Sequence, residues 1–159
     1  MKGKILLPAI VVLISANVVF SQPLFKQSVF FELGGNAYYY SINYERQWTK
    51  GLAGRIGVAY ANDTFIIPLM MGKIYGRAQH HFEFSAGAAV ARKSEPARRL
   101  RYFIDITGFI GYRYQKPEGR LFFRAGFTPL WEIYEANYPV DLLHSPFYPW
   151  GGIGVGARF

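Results

Sequence analysis

The residues most suggestive of chemistry lie near the middle of the chain. His81, Glu83 and Ser85 are spaced two residues apart, so they share one face of an extended strand. A histidine, an acid and a serine are the parts of a hydrolytic triad. However, His81 and Ser85 are too far apart along a strand for the direct hydrogen bond that would activate the serine. The spacing therefore favours a structural role, and we predict no enzymatic activity.

The sequence also gives little support to a metal or cofactor site. His80 and His81 are adjacent, so on a strand they point to opposite faces and cannot readily bind one ion together. The chain has no cysteine, which excludes disulfides, thiolate ligands and cysteine nucleophiles. No glycine-rich loop joins a strand to a helix in the way that phosphate binding requires. We expect no metal and no cofactor.

A second group of candidate residues consists of four acids and four arginines on the polar phase of the predicted strands. They are Glu32, Glu45, Glu83, Asp105, Arg55, Arg113, Arg124 and Arg158. Because unpaired charges inside a protein are costly, we predict that they form a paired network. The network would fill and rigidify a narrow barrel. A proton or ion path is the alternative, although eight strands leave an interior just wide enough for side chains.

The elements that position these residues are strands with a two-residue repeat. Apolar residues alternate with polar or small ones in 38–46, 52–60, 81–90, 102–114 and 153–159. Successive side chains of a strand point to opposite faces, so each segment has one apolar and one polar face. Eight strands are predicted, at about 28–34, 37–48, 52–61, 65–75, 80–92, 100–115, 120–133 and 147–159. The fourth is the weakest, because Pro68 interrupts it.

The composition of the two faces predicts which of them points outwards. The polar face is mostly glycine, alanine and serine with few charges, which suits a narrow lumen. The apolar face ends in aromatic residues, at Tyr38, Tyr60, Tyr102, Tyr112, Tyr114 and Trp131. An apolar exterior with aromatic girdles is typical of a transmembrane barrel. We therefore predict an all-β fold, an eight-stranded antiparallel up-and-down transmembrane β-barrel. A soluble periplasmic barrel that binds a small ligand is an alternative.

The first residues have the layout of a secretory leader. Lys2 and Lys4 precede an apolar run from Ile5 to Ile14, and Ser21 supplies the small residue before the cleavage point. We predict a signal peptide over 1–21 and a barrel domain over 22–159. Loss of the two lysines lowers the formal charge from +8 to +6. An exported basic chain is expected to meet outer-membrane lipids or lipopolysaccharide, and no nucleic acid.

A basic cluster marks the connection between the fifth and sixth predicted strands. It consists of Arg92, Lys93, Arg98, Arg99 and Arg101. If both termini face the periplasm, this connection lies at the cell surface. Arginine pairs well with phosphate, so the cluster predicts contact with lipopolysaccharide. A solvated loop is the simpler alternative.

The end of the chain and several short phrases carry a family resemblance. Phe159 closes an alternating last strand, and the phrases FFELGG, YSINYER and GYRYQ occur upstream. In these features the chain resembles small outer-membrane β-barrel proteins of Bacteroidetes type. The resemblance implies a location in the cell outer membrane and recognition of the C-terminal strand, with Phe159, by the barrel-assembly machinery.

The resemblance names no activity, so we expect a structural or surface-interaction protein. Small outer-membrane barrels also include lipid A deacylases, which makes a lipid-modifying hydrolase the enzymatic alternative. The His-x-Ser arrangement of those enzymes is not reproduced in this sequence.

Overall fold

A computed structural model describes residues 26–48, 51–94, 100–135 and 147–159 of the chain. The predicted leader lies outside these residues, as do Arg98 and Arg99 of the basic cluster. Among the described residues there is no helix of sufficient length and apolar character to cross a membrane.

Eight strands account for almost all of the described residues. They are β1 (Gln27–Gly34), β2 (Tyr40–Gln47), β3 (Leu52–Ala61), β4 (Thr64–Arg77), β5 (His80–Ser94), β6 (Leu100–Gln115), β7 (Leu121–Glu135) and β8 (Phe147–Arg158). Each strand pairs antiparallel with the next, and β1 pairs with β8 to close the barrel. The prediction of an eight-stranded antiparallel up-and-down barrel is confirmed.

The two-residue repeat of the sequence becomes the inside and the outside of this barrel. In β2, Ser41, Asn43 and Glu45 are buried in the interior, whereas the alternate side chains of Ile42 and Tyr44 are exposed on the outer face. The same alternation runs through β1, β3 and β7. The polar phase therefore faces the lumen, and the apolar phase faces outwards.

The fourth strand is longer than its weak pattern suggested. It spans 14 residues and pairs without interruption with β5, including Pro68 with Ala89. Its ladder with β3 skips the two pairs between Ile56–Leu69 and Ala59–Ile66, as expected where proline has no N–H to donate. Pro68 points into the barrel beside Gly57, where a Cβ atom would lie 2.9 Å from the proline ring. A glycine on the neighbouring strand thus makes room for the proline.

The two ends of the barrel differ in their connections. The end that carries both termini, called here the terminal end, has short connections after β2, β4 and β6. The opposite end, called here the loop end, carries the longest connection, the eleven residues after β7, whereas the connection after β5 has five residues, as has the one after β6. The connection after β3 also lies there but is a two-residue turn of Asn62 and Asp63, both with positive φ. Strands β4 to β7 have 14 to 16 residues against eight in β1 and β2, so one side of the wall is taller.

The first connection departs from the prediction. The second strand was expected to begin at residue 37 with Tyr38 on the outer face. Instead, Gly34 and Gly35 adopt φ of 70° and 78°, and a short 3-10 helix, Gly35–Ala37, turns into the barrel with all three residues buried. Glycine permits this backbone conformation without steric cost. Residues 35–38, called here the inward turn, therefore cover the lumen at the loop end.

Candidate functional site

The barrel interior holds all eight of the charged residues that the sequence places on the polar phase. Each of them is less than a tenth exposed. Six of them lie in one continuous network, in the order Glu45, Arg113, Glu83, Arg124, Glu32 and Arg55. The other two, Asp105 and Arg158, have different partners.

The central members of the network are Arg113 and Arg124. Nη1 of Arg113 donates a hydrogen bond to Oε1 of Glu45 at 2.7 Å and lies 3.5 Å from Oε2 of Glu83. Nη1 of Arg124 lies 3.0 Å from Oε1 of Glu83, and its Nη2 lies 3.6 Å from Oε1 of Glu32. The contacts of Arg124 are ion pairs without hydrogen-bond alignment. Each of these two arginines contacts two acids. The loss of either arginine would therefore remove a cationic partner from two buried carboxylates.

Three buried phenylalanines pack against the same guanidinium groups. Cζ of Arg113 lies 3.9 Å from the ring centre of Phe122, and Cζ of Arg124 lies 3.8 Å from that of Phe109 and 4.9 Å from that of Phe30. A cation over an aromatic face is favourable, and more so when desolvated. The sequence reasoning missed these residues, although they stand two or four positions from a charged residue on the same phase.

Asp105 and Arg158 contact groups outside the six-membered network. Oδ2 of Asp105 accepts a hydrogen bond from the hydroxyl of Tyr38 at 2.8 Å. Nη2 of Arg158 donates to the backbone carbonyls of Lys116, Pro117 and Gly119 in the turn between β6 and β7. The two residues lie toward opposite ends of the lumen, so each forms hydrogen bonds with the connection nearest to it.

The inward turn is tied to the network by hydrogen bonds of Asn36. Nδ2 of Asn36 donates to Oγ1 of Thr107 at 2.7 Å and to the carbonyl of Gly108 at 2.8 Å, and its Oδ1 accepts from Arg55 at 2.5 Å. Nε1 of Trp150 donates to the carbonyl of Tyr38 at 2.6 Å. Burial, and then the neighbouring Asp105, raise the pKa of the Tyr38 phenol above its ordinary value. The hydroxyl therefore stays protonated and acts as the donor.

The space left in the charged layer is small. A cavity of about 10 Å³ lies beside Glu45, Arg55, Glu83 and Ser85. This volume corresponds to about one water molecule, and it offers no room for an organic ligand.

The structure does not bring His81, Glu83 and Ser85 together as a triad. Glu83 contacts Arg113 and Arg124, and the Oγ of Ser85 makes no hydrogen bond. In the described part of the chain, no three histidine, aspartate or glutamate side chains are close enough to hold a metal ion.

The predicted basic cluster is divided by the structure. Arg92 is exposed on the outer face, whereas Lys93 and Arg101 lie on the inward phase at the mouth of the barrel, where Arg101 forms an ion pair with Glu135. A cavity of about 310 Å³ opens at this mouth. Its lining includes Lys93, Arg101, Glu132, Glu135, Tyr38, Phe103 and Tyr148. Among the described residues, the mouth thus combines both signs of charge with aromatic rings.

The outer surface has three zones along the barrel axis. Aliphatic side chains such as Ile42, Val58 and Ile106 are exposed around the middle. Exposed aromatic rings form a girdle at each end. They are Tyr44, Trp48, Phe82, Tyr112, Phe123 and Phe159 at the terminal end, and Tyr40, Tyr60, Phe65, Tyr102, Trp131 and Phe147 at the loop end. Of the girdle residues named from the sequence, Tyr38 alone is displaced, into the inward turn.

Comparison with known proteins gives one structural likeness. The chain is similar to the N-terminal β-barrel domain of Pseudomonas aeruginosa OprF, with a TM-score of 0.58 and 16% sequence identity over 87% of this chain and 98% of that domain. No protein-family model matches this sequence, and no curated protein shows significant similarity to it. At this identity the likeness concerns the fold.

Proposed function

We propose that the chain is a non-enzymatic β-barrel protein of the bacterial outer membrane, with a structural or surface-interaction role. Its barrel would be a closed, rigid unit, and its loop end would face the cell exterior. The longest connection lies at the loop end, which is the external end in outer-membrane barrels, because their short turns are periplasmic. The predicted leader over 1–21 and the terminal Phe159 support export and assembly by the same route.

The observation that carries this proposal is the inverted distribution of polarity. Ile106 is 53% exposed on the outer face, whereas Arg113 is fully buried in the lumen. In water, such an exterior would expose an apolar band around the whole barrel, far larger than the patches that soluble proteins tolerate. In lipid, the same band is the stable surface, and closure of the barrel leaves no strand edge unpaired.

The two alternatives lack this support. A soluble ligand-binding barrel needs an internal cavity, but side chains occupy the charged layer of the lumen. A lipid A deacylase needs a nucleophile and a base that contact each other, and the Oγ of Ser85 has no hydrogen-bond partner. A lipid and lipopolysaccharide profile of cells with and without the protein tests the enzyme directly. We expect the same acylation of lipid A in both.

Lipopolysaccharide contact is a finer proposal, centred on Arg92. Its side chain is exposed on the outer face, and across the strand pair it neighbours Tyr102 of the loop-end girdle. That position is level with the headgroups if the girdle lies at the interface. We also propose that the protein is a small barrel of Bacteroidetes type. The barrel-assembly machinery would recognise its C-terminal strand, with Phe159.

Cell fractionation tests the membrane position. The mature protein is expected in the outer-membrane fraction, to need detergent for extraction, and to migrate differently on gels before and after boiling. Recovery in the soluble periplasmic fraction without detergent would contradict the proposal.

A further inference from the structure

Among the described residues, the excess of positive charge lies at the terminal end. In the described residues, six exposed cations lie there against one acid: Lys26, Arg46, Lys73, Arg77, Lys116 and Arg120 against Glu118. The loop end is balanced, with Arg92, Lys93 and Arg101 against Asp63, Glu132 and Glu135. The four acids and four arginines of the lumen also cancel. Within the described chain, the terminal end therefore carries a basic surface of its own, separate from the cluster that the sequence places at the loop end.

Three of these cations stand in strands on the outer face of the barrel rather than in a turn, namely Arg46, Lys73 and Arg77. Arg46 lies in β2 and Lys73 in β4, and both are exposed. Arg46 pairs with Gly54, Gly54 pairs with Met71, and Lys73 is two residues from Met71 on the same face. Their Cα atoms are therefore about 12 Å apart, from the spacing of strands and of residues along them. Both long side chains can reach one headgroup between them.

Beside Arg46 the outer face contains an open hollow of about 480 Å³. Its floor is low at Ala86, a small outward-facing residue, whereas the ring of Trp48 lies over Gly54. The ring of Trp48 forms one border, since a Cβ atom on Gly54 would lie 2.5 Å from it. Ile56, Leu69 and Met71 complete an almost wholly apolar lining.

The hollow follows a row of paired residues that runs obliquely across the barrel. The row runs from Arg46 through Gly54 and Met71 to Ala86 of β5. Arg46 is one residue from the end of β2, whereas Ala86 is six residues from the start of β5. The row therefore rises from the terminal-end rim toward the middle of the apolar band. Its three strand-to-strand steps cover about 14 Å, comparable with one leaflet of a hydrocarbon core about 30 Å thick.

We propose that this hollow binds an acyl chain of an anionic phospholipid in the periplasmic leaflet, whose phosphate contacts Arg46 and Lys73. The inference rests on the proposed membrane position. The apolar floor matches an acyl chain, and the two cations at its rim match a phosphate. Lipopolysaccharide lies in the opposite leaflet and would not reach this end.

Fluorescence quenching of Trp48 tests the site directly. The full mature chain with Trp131→Phe and Trp150→Phe keeps Trp48 as its one tryptophan. It is folded into phosphatidylcholine vesicles that contain small amounts of brominated phosphatidylglycerol or brominated phosphatidylcholine. The anionic lipid is expected to associate at Trp48 about fivefold more strongly or better, the factor typical of one basic residue at an anionic surface.

Three matched variants separate the parts of the site. Arg46→Gln should lower the ratio of the two lipids about fivefold, since Lys73 alone remains at the rim, whereas Arg92→Gln at the loop end should leave it unchanged. Ala86→Phe fills the hollow without altering charge and should weaken the quenching of Trp48 by both lipids, because the brominated acyl chain is displaced from the hollow. Each variant is compared only when its unboiled gel band shows a folded barrel.

The possible results distinguish the two proposals. Equal association of both lipids with the parent protein, or an unchanged ratio in Arg46→Gln, would overturn the lipid site while the quenching itself still supports the membrane position. Unchanged quenching of Trp48 by both lipids in Ala86→Phe would overturn the acyl-chain part. Absence of quenching by either lipid would contradict the membrane position as well.

Discussion

At the scale of single residues, the lumen is organised by a few arginines that serve several partners. Arg124 contacts Glu83 and Glu32 and packs against Phe109 and Phe30. Buried ion pairs contribute little net stability compared with apolar side chains, but breaking one is costly because a charge is left unpaired. The lumen residues therefore constrain one another more than they add to stability.

Arg124→Leu is expected to lower the free energy of unfolding by about 3–5 kcal/mol, since Glu83 and Glu32 lose a cationic partner in the lumen. Arg120→Leu, in an exposed turn only four residues away, should change it by less than about 0.5 kcal/mol. Denaturant titration of protein folded in vesicles measures both. Equal effects of the two substitutions would contradict the assignment of the lumen face.

The sequence predicted the face of these residues but not their partners. A two-residue repeat determines whether a side chain points inwards, and all eight charged positions follow it. The repeat does not give the height of a residue along the barrel axis, which depends on strand tilt and on the register between strands. For that reason it could not predict that Asp105 bonds to Tyr38 or that Arg158 bonds to turn carbonyls.

At the scale of elements, strands were easier to predict than connections. Long alternating segments such as β6 gave their bounds to the residue, from 100 to 115. The inward turn was missed because Tyr38 continues the apolar alternation of β2 in the sequence. The glycine pair Gly34 and Gly35 indicates a turn at this point. The same pair is equally compatible with a tight hairpin. What decides between the two is the contact with Trp150 from β8, a long-range interaction.

Asn36→Leu is expected to destabilise the protein by about 1–3 kcal/mol, because the groups of Arg55 and Thr107 that contact the amide would remain buried without their partner. The substitution should also raise hydrogen exchange in residues 35–38. Glu118→Leu, in an exposed turn, serves as the control. If Asn36→Leu were as stable and as protected as the parent, the inward turn would not be held by this side chain.

The outer face of β6 allows a test of depth within the membrane. Ile106 lies in the middle of the strand, and Tyr114 lies one residue from its end. An arginine on the lipid face costs about 2–4 kcal/mol at the midplane and about 0–1 kcal/mol near the interface. Ile106→Arg should therefore impair folding into vesicles far more than Tyr114→Arg. Similar folding yields for the two would contradict the predicted depth.

At the scale of the whole molecule, a filled lumen and the inward turn together describe a closed barrel. One cavity at the charged layer has a volume of about 10 Å³, and Asn36 of the inward turn accepts a hydrogen bond from Arg55 of that layer. Protein inserted into planar lipid bilayers is therefore expected to show no stepwise conductance. Reproducible single-channel steps would support the ion-path alternative instead.

The central claim is that the apolar face of the barrel meets lipid, and spin labels on β6 test it most directly. Single labels at Ile104, Ile106 and Ile110 in vesicle-folded protein should be accessible to oxygen, which dissolves in the bilayer, and shielded from a water-soluble nickel complex. A label at Glu118, in the terminal-end turn, should show the opposite preference. Access of the nickel complex to all three β6 positions would contradict the claim.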